Sequence, residues 1–176
     1  IMMEAAASMQ GMQLNMNSKV TNKGQSKVVV SLGGNAMQTI LFNDGEGYMI
    51  VQGQKMENDD TMNKQNMMTT KPFMELEATG TLEAIETING TDAYRINFGE
   101  GIKAFYDTET GLKIRVAIDV TMMGQSTTSI TDYNNYQEVA GVKIPYTVTR
   151  YLGPQALDFI VSEVVINEGV SDADFE

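Results

Sequence analysis

The chain has 176 residues, 42% of them hydrophobic, and no cysteine. A chain of this size is one domain that buries a sizeable core without staples, and it can build neither a disulfide framework nor a thiolate metal site. Twelve basic residues stand against 23 acidic ones for a formal net charge of −11, which argues against nucleic acid and anionic membrane surfaces as partners, because phosphate binding needs clustered Lys and Arg.

The chain opens on Ile1 with no basic-then-apolar leader; the expectation is a processed or trimmed chain, its secretion signal removed and upstream sequence missing. Met12, Leu14 and Met16 alternate with Gln13, Asn15 and Asn17, the two-residue period of a half-buried strand. Further strands are expected over 25–32, 36–42 and 47–52, separated by the turn clusters "NKG" at 22–24, "GGN" at 33–35 and "NDGEG" at 43–47. Apolar runs such as Val28, Val29 and Val30 are far too short to span a bilayer. Residues 57–77 break the strand rhythm: Asp59 or Asp60 is suited to cap a helix, Pro72 to follow its end, and Met62, Asn66 and Met67 share a face. A helix is expected near 59–70.

Beyond it, strands are expected over 80–88, 93–98, 101–107, 112–122, 125–133, 142–151 and 156–166. The run 112–122 alternates without a break, and its "TETG" turn at 108–111 predicts a register: a type I turn with Gly111 left-handed sets Tyr106 opposite Ile114, and Ala104 and Ile102 opposite Val116 and Ile118. In "DYNNYQEVAGVKIPY", 132–146, the pattern reads as strand, turn and strand, with Pro145 at an edge, near a strand start or at a bulge. Connections this short join antiparallel neighbours. The expected architecture is mainly β: one large curved antiparallel sheet with a single helical insertion covering one face.

Chemistry is sparse. The absence of histidine removes the commonest general base and metal ligand, and with it the His-dependent peptidase sets. "GQSK" at 24–27 and "GEG" at 99–101 lack the spacing of a phosphate cradle. Asp44 and Glu46 form a hairpin tip without the oxygen-ligand spacing of a calcium loop, Asp107 and Glu109 flank a turn, and Asp172, Asp174 and Glu176 read as a solvated end. "NGT" at 89–91 matches a glycosylation acceptor, but a hairpin turn explains it equally. No catalytic residue, metal site or cofactor is expected. Of fourteen methionines, ten lie between positions 9 and 74; soft thioethers there either fill the core or line an apolar groove between sheet and helix.

Three segments in order, "FYDTETGLKIRV" (105–116), "DYNNYQEVAGVKIPYTVTR" (132–150) and "VVINEGVSDADFE" (164–176), resemble the LolA-like outer-membrane lipoprotein-sorting family of Gram-negative envelopes. The resemblance implies a single LolA/LolB-like domain over 1–176, an unclosed half-barrel with helical cover on its concave side, and a cavity for acyl chains with no bond chemistry. It implies a non-catalytic binding domain, periplasmic or outer-membrane-associated, whose partner is a lipid, acyl chain or lipoprotein, with an envelope protein as a further partner. The candidate apolar lining is Met37, Tyr48, Ile50, Met62, Met67, Tyr94, Ile96, Val116 and Ile118; parity does not say which face is concave. Arg95 or Arg115 would tether a polar group if that face is the wet one. The same segments also look like the C-terminal appendage of insulinase-type zinc peptidases, and a purely structural envelope domain with a filled core is the third reading.

Overall fold

A computed structural model of the chain describes residues 1–9, 11–69, 79–122, 125–152 and 155–176. Six strands precede the helical insertion: β1 (Met2–Met9), β2 (Met12–Val20), β3 (Ser26–Leu32), β4 (Asn35–Asn43), β5 (Glu46–Val51) and β6 (Gln54–Glu57). After helix α1 (Asp60–Thr69) come β7 (Thr81–Ile88), β8 (Thr91–Gly99), β9 (Ile102–Asp107), β10 (Lys113–Met122), β11 (Gln125–Val139), β12 (Val142–Leu152) and β13 (Gln155–Val165). All form one antiparallel sheet in the order β6-β5-β4-β3-β2-β1-β13-β12-β11-β10-β9-β8-β7. Hairpins lead outward from β1 to β6, and a second series leads back from β7 to β13, which pairs with β1 at the centre. The two free edges, β6 and β7, are therefore consecutive in the chain, and the segment carrying α1 connects them.

The sheet is curled into an unclosed half-barrel. From β5 to β10 is eight strand steps, roughly 38 Å across a flat sheet. Yet α1, about 15 Å long, touches β5. Its Gln65 also donates from Nε2 to the carbonyls of Glu100 and of Asp119 in β10, both at 2.8 Å. One short helix reaches both wings only if the sheet bends round it.

Register divides the side chains between two faces. On the inner face, covered by α1, Leu82, Ile96, Ala104, Val116, Thr131, Arg150 and Leu157 form one row across seven strands. The same face carries the main core, in which Ala5, Ala7, Leu14, Met16, Val148, Leu157, Phe159 and Val161 are buried together. A smaller core of Ile88, Ala93 and Phe105, backed by Ile114 and Ala117, lies on the outer face. Asn89 and Gly90, at φ 50° and 88°, make the left-handed pair of a two-residue hairpin. The Asn89 side chain then donates to Asp132 at 3.1 Å, so this hairpin tip bends across β9 and β10 towards β11.

Most expected strands are present, and the departures have physical reasons. Strands β1 and β6 were not expected: β1 carries a run of alanines without alternation, and β6 is four exposed residues at an edge. Strand β11 runs on to Val139, past the expected end, and the turn is confined to Ala140 and Gly141. Ala104 and Ile102 do oppose Val116 and Ile118, but Tyr106 pairs with Lys113, because a register shift beside Ile114 absorbs one residue. Pro145 lies near the start of β12, before β12 pairs with β13 at Thr147; a missing N–H is tolerated where that ladder has not begun.

The helix starts as expected, with Asp59 Oδ1 accepting from the Met62 N–H at 2.8 Å. Its buried residue is Gln65, however, while Met67 is 59% exposed. The helix rests on backbone carbonyls of the β8–β9 turn and of β10, which require a donor rather than a thioether. The Pro72 stop signal lies outside the described residues. The C-terminus is also not a solvated end: a 3₁₀ turn (Asp172–Phe175) packs against β3 and β4 and buries Phe175. Lys19 Nζ lies 2.5 Å from Asp174 Oδ1, Lys27 Nζ donates to the Asp174 carbonyl, and Asn43 Nδ2 to that of Phe175.

Candidate functional site

Between the end of α1 and the inner face lies a cavity of about 210 Å³. Its apolar wall is Phe98 of β8, Ile102 and Ala104 of β9, and Val116 and Ile118 of β10; its polar wall is Lys113, Ser129, Thr131 and Tyr133, with Thr69 above. The walls follow from register. Ile102 opposes Ile118 and Ala104 opposes Val116, so four apolar side chains meet on adjacent strands, and the small Ala104 leaves the space open. Ile102 and Ala104 are buried, at 2% and 3% exposure.

The polar wall is organised around Tyr133. The Lys113 ammonium sits 5.5 Å from the centre of the Tyr133 ring. Tyr136, from the same strand, donates its phenol to the Lys113 carbonyl at 2.6 Å, which holds the start of β10 against β11 beyond their last paired residues. Arg150, opposite Thr131 on β12, faces the same side, its guanidinium 5.9 Å from the Phe159 ring centre. Burial pulls the Arg150 guanidinium below its ordinary value, and the neighbouring Tyr133 opposes that shift.

The candidate lining residues fall into three groups. Val116 and Ile118 line the cavity. Ile96 and Tyr94 share its face on β8, the strand of Phe98, opposite Ala104 and Tyr106. Met62 and Met67 belong to α1, and Met67 borders a separate depression of about 390 Å³ with Phe42, Gln25 and Asp44. Tyr48 and Ile50 sit on the outer face, opposite Leu41 and Thr39, with the Lys55 ammonium 4.1 Å from the Tyr48 ring centre. Met37 occupies the bulge between β3 and β4 and is exposed. Ile102 and Ala104 escaped sequence reasoning as lining residues, although their pairing with Val116 and Ile118 was legible from the "TETG" turn; Phe98, Thr131 and Tyr133 needed the register of the next strands.

Arg95 and Arg115 are on the outer face and both are paired. Arg95 contacts Glu83, at 3.0 Å, and Glu86. Arg115 grips Asp132 through two bonds, and Asp132 also accepts from Tyr151 at 3.0 Å. Burial pushes the Asp132 carboxyl up, but the hydrogen bonds from Arg115, Tyr151 and Asn89 outweigh it and hold the group below its usual value. This network ties β10, β11, β12 and the β7–β8 tip together without facing the cavity. No group of three or more His, Cys, Asp or Glu side chains among the described residues is placed to hold a metal ion, and no described helix is long and apolar enough to cross a membrane.

No family model matches the sequence, and no curated protein matches it. Solved structures do. A protein described as an outer membrane lipoprotein-sorting protein domain, from Vibrio parahaemolyticus, superposes with a TM-score of 0.58 at 11% identity, covering 99% of this chain and 87% of its own. A DUF1329 family protein from Desulfovibrio piger gives 0.59 at 12% identity, and a LolA superfamily protein from Nitrosomonas europaea 0.57 at 11%; each match covers 99% of this chain and 88% of the other. None of the three is described as a peptidase domain. At such identities the likeness is one of fold, and the fold is LolA-like: an unclosed antiparallel half-barrel with helical cover on its concave face.

Proposed function

We propose that this chain is a non-catalytic binding domain of the bacterial envelope that shelters one apolar chain of a lipid or lipidated partner between sheet and helix. The observation that carries the reading is the cavity at the join of α1 and the inner face, where Phe98, Ile102, Ala104, Val116 and Ile118 present apolar surface to a partly open space. The likeness to a structure described as a lipoprotein-sorting domain supports the envelope setting. Val116 and Ile118 line the ligand's path, and Ile96 and Tyr94, on the same face of β8, extend it. A cavity of about 210 Å³ is below the roughly 300–1,000 Å³ of ordinary small-molecule sites. It suits one short chain, about seven water-sized groups at about 30 Å³ each, and not a bundle of several chains.

The same small volume favours a second reading, a structural domain whose interior is nearly filled by its own side chains. Native mass spectrometry of the purified protein, beside titration with a fluorescent fatty acid, separates the two. Retained lipid or saturable binding is the expected result; neither retained lipid nor saturable binding overturns the carrier reading and leaves the structural one.

A further inference from the structure

Charge is sorted between the two faces of the sheet. The strand carboxylates Glu4, Glu86, Asp119, Asp132, Asp158 and Glu163 all alternate onto the outer face. On the inner face the described strands carry two cations, Lys113 and Arg150, and one carboxylate, Asp92, which lies at the β7–β8 rim and accepts from Thr87 at 2.8 Å. Among the described strand residues, a protein with a net charge of −11 thus places more cations than carboxylates on its inner face.

Arg150 differs from the other two arginines. Arg95 and Arg115 each hold carboxylates. Arg150 is half-buried, with Phe159 beneath it, and nothing among the described residues accepts a hydrogen bond from its guanidinium or pairs with it. A guanidinium stays charged in proteins and presents a rigid fork of donors. Holding it partly desolvated without a partner is unfavourable unless something else supplies the acceptors. Its cross-strand neighbour Thr131 lines the cavity, and Tyr133, two residues along the same face, lies between it and Lys113.

Resting on the binding function proposed above, we infer that Arg150 is an anion subsite, and that the ligand is a single-chain amphiphile with an acidic head group. Its carboxylate or phosphate oxygens meet the guanidinium fork on the β11–β12 side, and its tail lies against Ile102, Ala104, Val116 and Ile118. Bidentate Arg–oxyanion pairs combine geometry with charge, so the subsite selects the head while the apolar wall selects only length.

The test is calorimetric titration of the whole chain with four probes of one tail length: decanoate, decyl phosphate, decanol and decyltrimethylammonium. Expected are Kd values for the two anions about tenfold or more below that of decanol, weakening as salt rises, with the cation weakest. The comparison of decanoate with decyl phosphate separates a fatty-acid head from a phospholipid-type head. Arg150→Gln is expected to bring both anions to the decanol value while decanol itself is unchanged; Arg150→Lys, which keeps the charge, retains part of the preference. Decanol binding as tightly as decanoate, or Arg150→Gln weakening decanol and decanoate equally, overturns the anion subsite and leaves the apolar cavity standing. Binding of none of the four overturns the cavity reading as well.

Discussion

Arg115 and Asp132 face each other across β10 and β11, with Nε 2.5 Å from Oδ1 and Nη2 2.7 Å from Oδ2. The carboxylate is 2% exposed, and its remaining acceptor sites are taken by Tyr151 and Asn89. A buried pair adds little over a well-packed apolar pair, but breaking one strands the survivor. Asp132→Ala is therefore expected to cost about 3 kcal/mol, the low end of the usual range because Arg115 keeps some solvent. For a chain of this length that is a fall of about 6–12 °C in Tm, measurable by thermal melting. Asp132→Asn should cost less, since it still accepts from Tyr151.

The two hydrogen bonds from Gln65 to the carbonyls of Glu100 and Asp119 fasten α1 to the wing that carries the cavity. Gln65→Leu leaves both acceptors without their donor, at about 1–3 kcal/mol each if no water replaces it. The expected signature is local: faster amide exchange across α1 and faster release of bound fatty-acid probe, with the β1–β13 centre of the sheet unchanged. Uniformly faster exchange throughout would mean that Gln65 supports the whole fold and not the docking of the helix.

Gly47 marks where the lead-in to α1 crosses the sheet. A Cβ there would meet Asn58 Nδ2 at 2.5 Å and the Leu41 carbonyl at 2.8 Å, while the Asn58 N–H bonds the Gly47 carbonyl at 3.0 Å. Gly47→Ala is expected to destabilise by about 1–3 kcal/mol through overpacking, read as a lower urea midpoint at unchanged slope.

The C-terminal turn responds to acid. Asp174 is held at about 2 by the Lys19 hydrogen bond first and by the Ser171 backbone N–H second. Its folded pKa lies below its ordinary value, so its contribution is complete above about 3.8 and is lost as pH falls towards 2. Amide exchange of the β3–β4 surface under the turn should rise in that window. Asp174→Asn should show the same rise at neutral pH; protection unchanged in the variant would mean that Phe175 alone holds the turn.

Much of the architecture was legible because alternation is a local signal. The run 112–122 faces one way by parity alone, and a turn with left-handed Gly111 sets the pairing of Ala104 with Val116. Local signals fail where a side chain answers to something distant. Alanines at 5, 6 and 7 show no period, yet they form the middle of the sheet because β13 and β2 flank them. Gln65, a polar residue with no local signal to set it apart, is the helix's buried anchor.

Residue pattern was enough to define a mainly β chain without His or Cys chemistry, one helical cover, and the spacing of the turns, since each of these depends on neighbours a few residues apart. Which face is concave, and hence that Val116 and Ile118 line a cavity while Tyr48 and Ile50 point away from it, depends on the curl of the sheet. The curl comes from contacts far apart in the chain: β13 on β1, and α1 on both β5 and the end of β10. That Arg150 has no ion-pair partner among the described residues is of the same kind, because pairing depends on residues far apart in the chain.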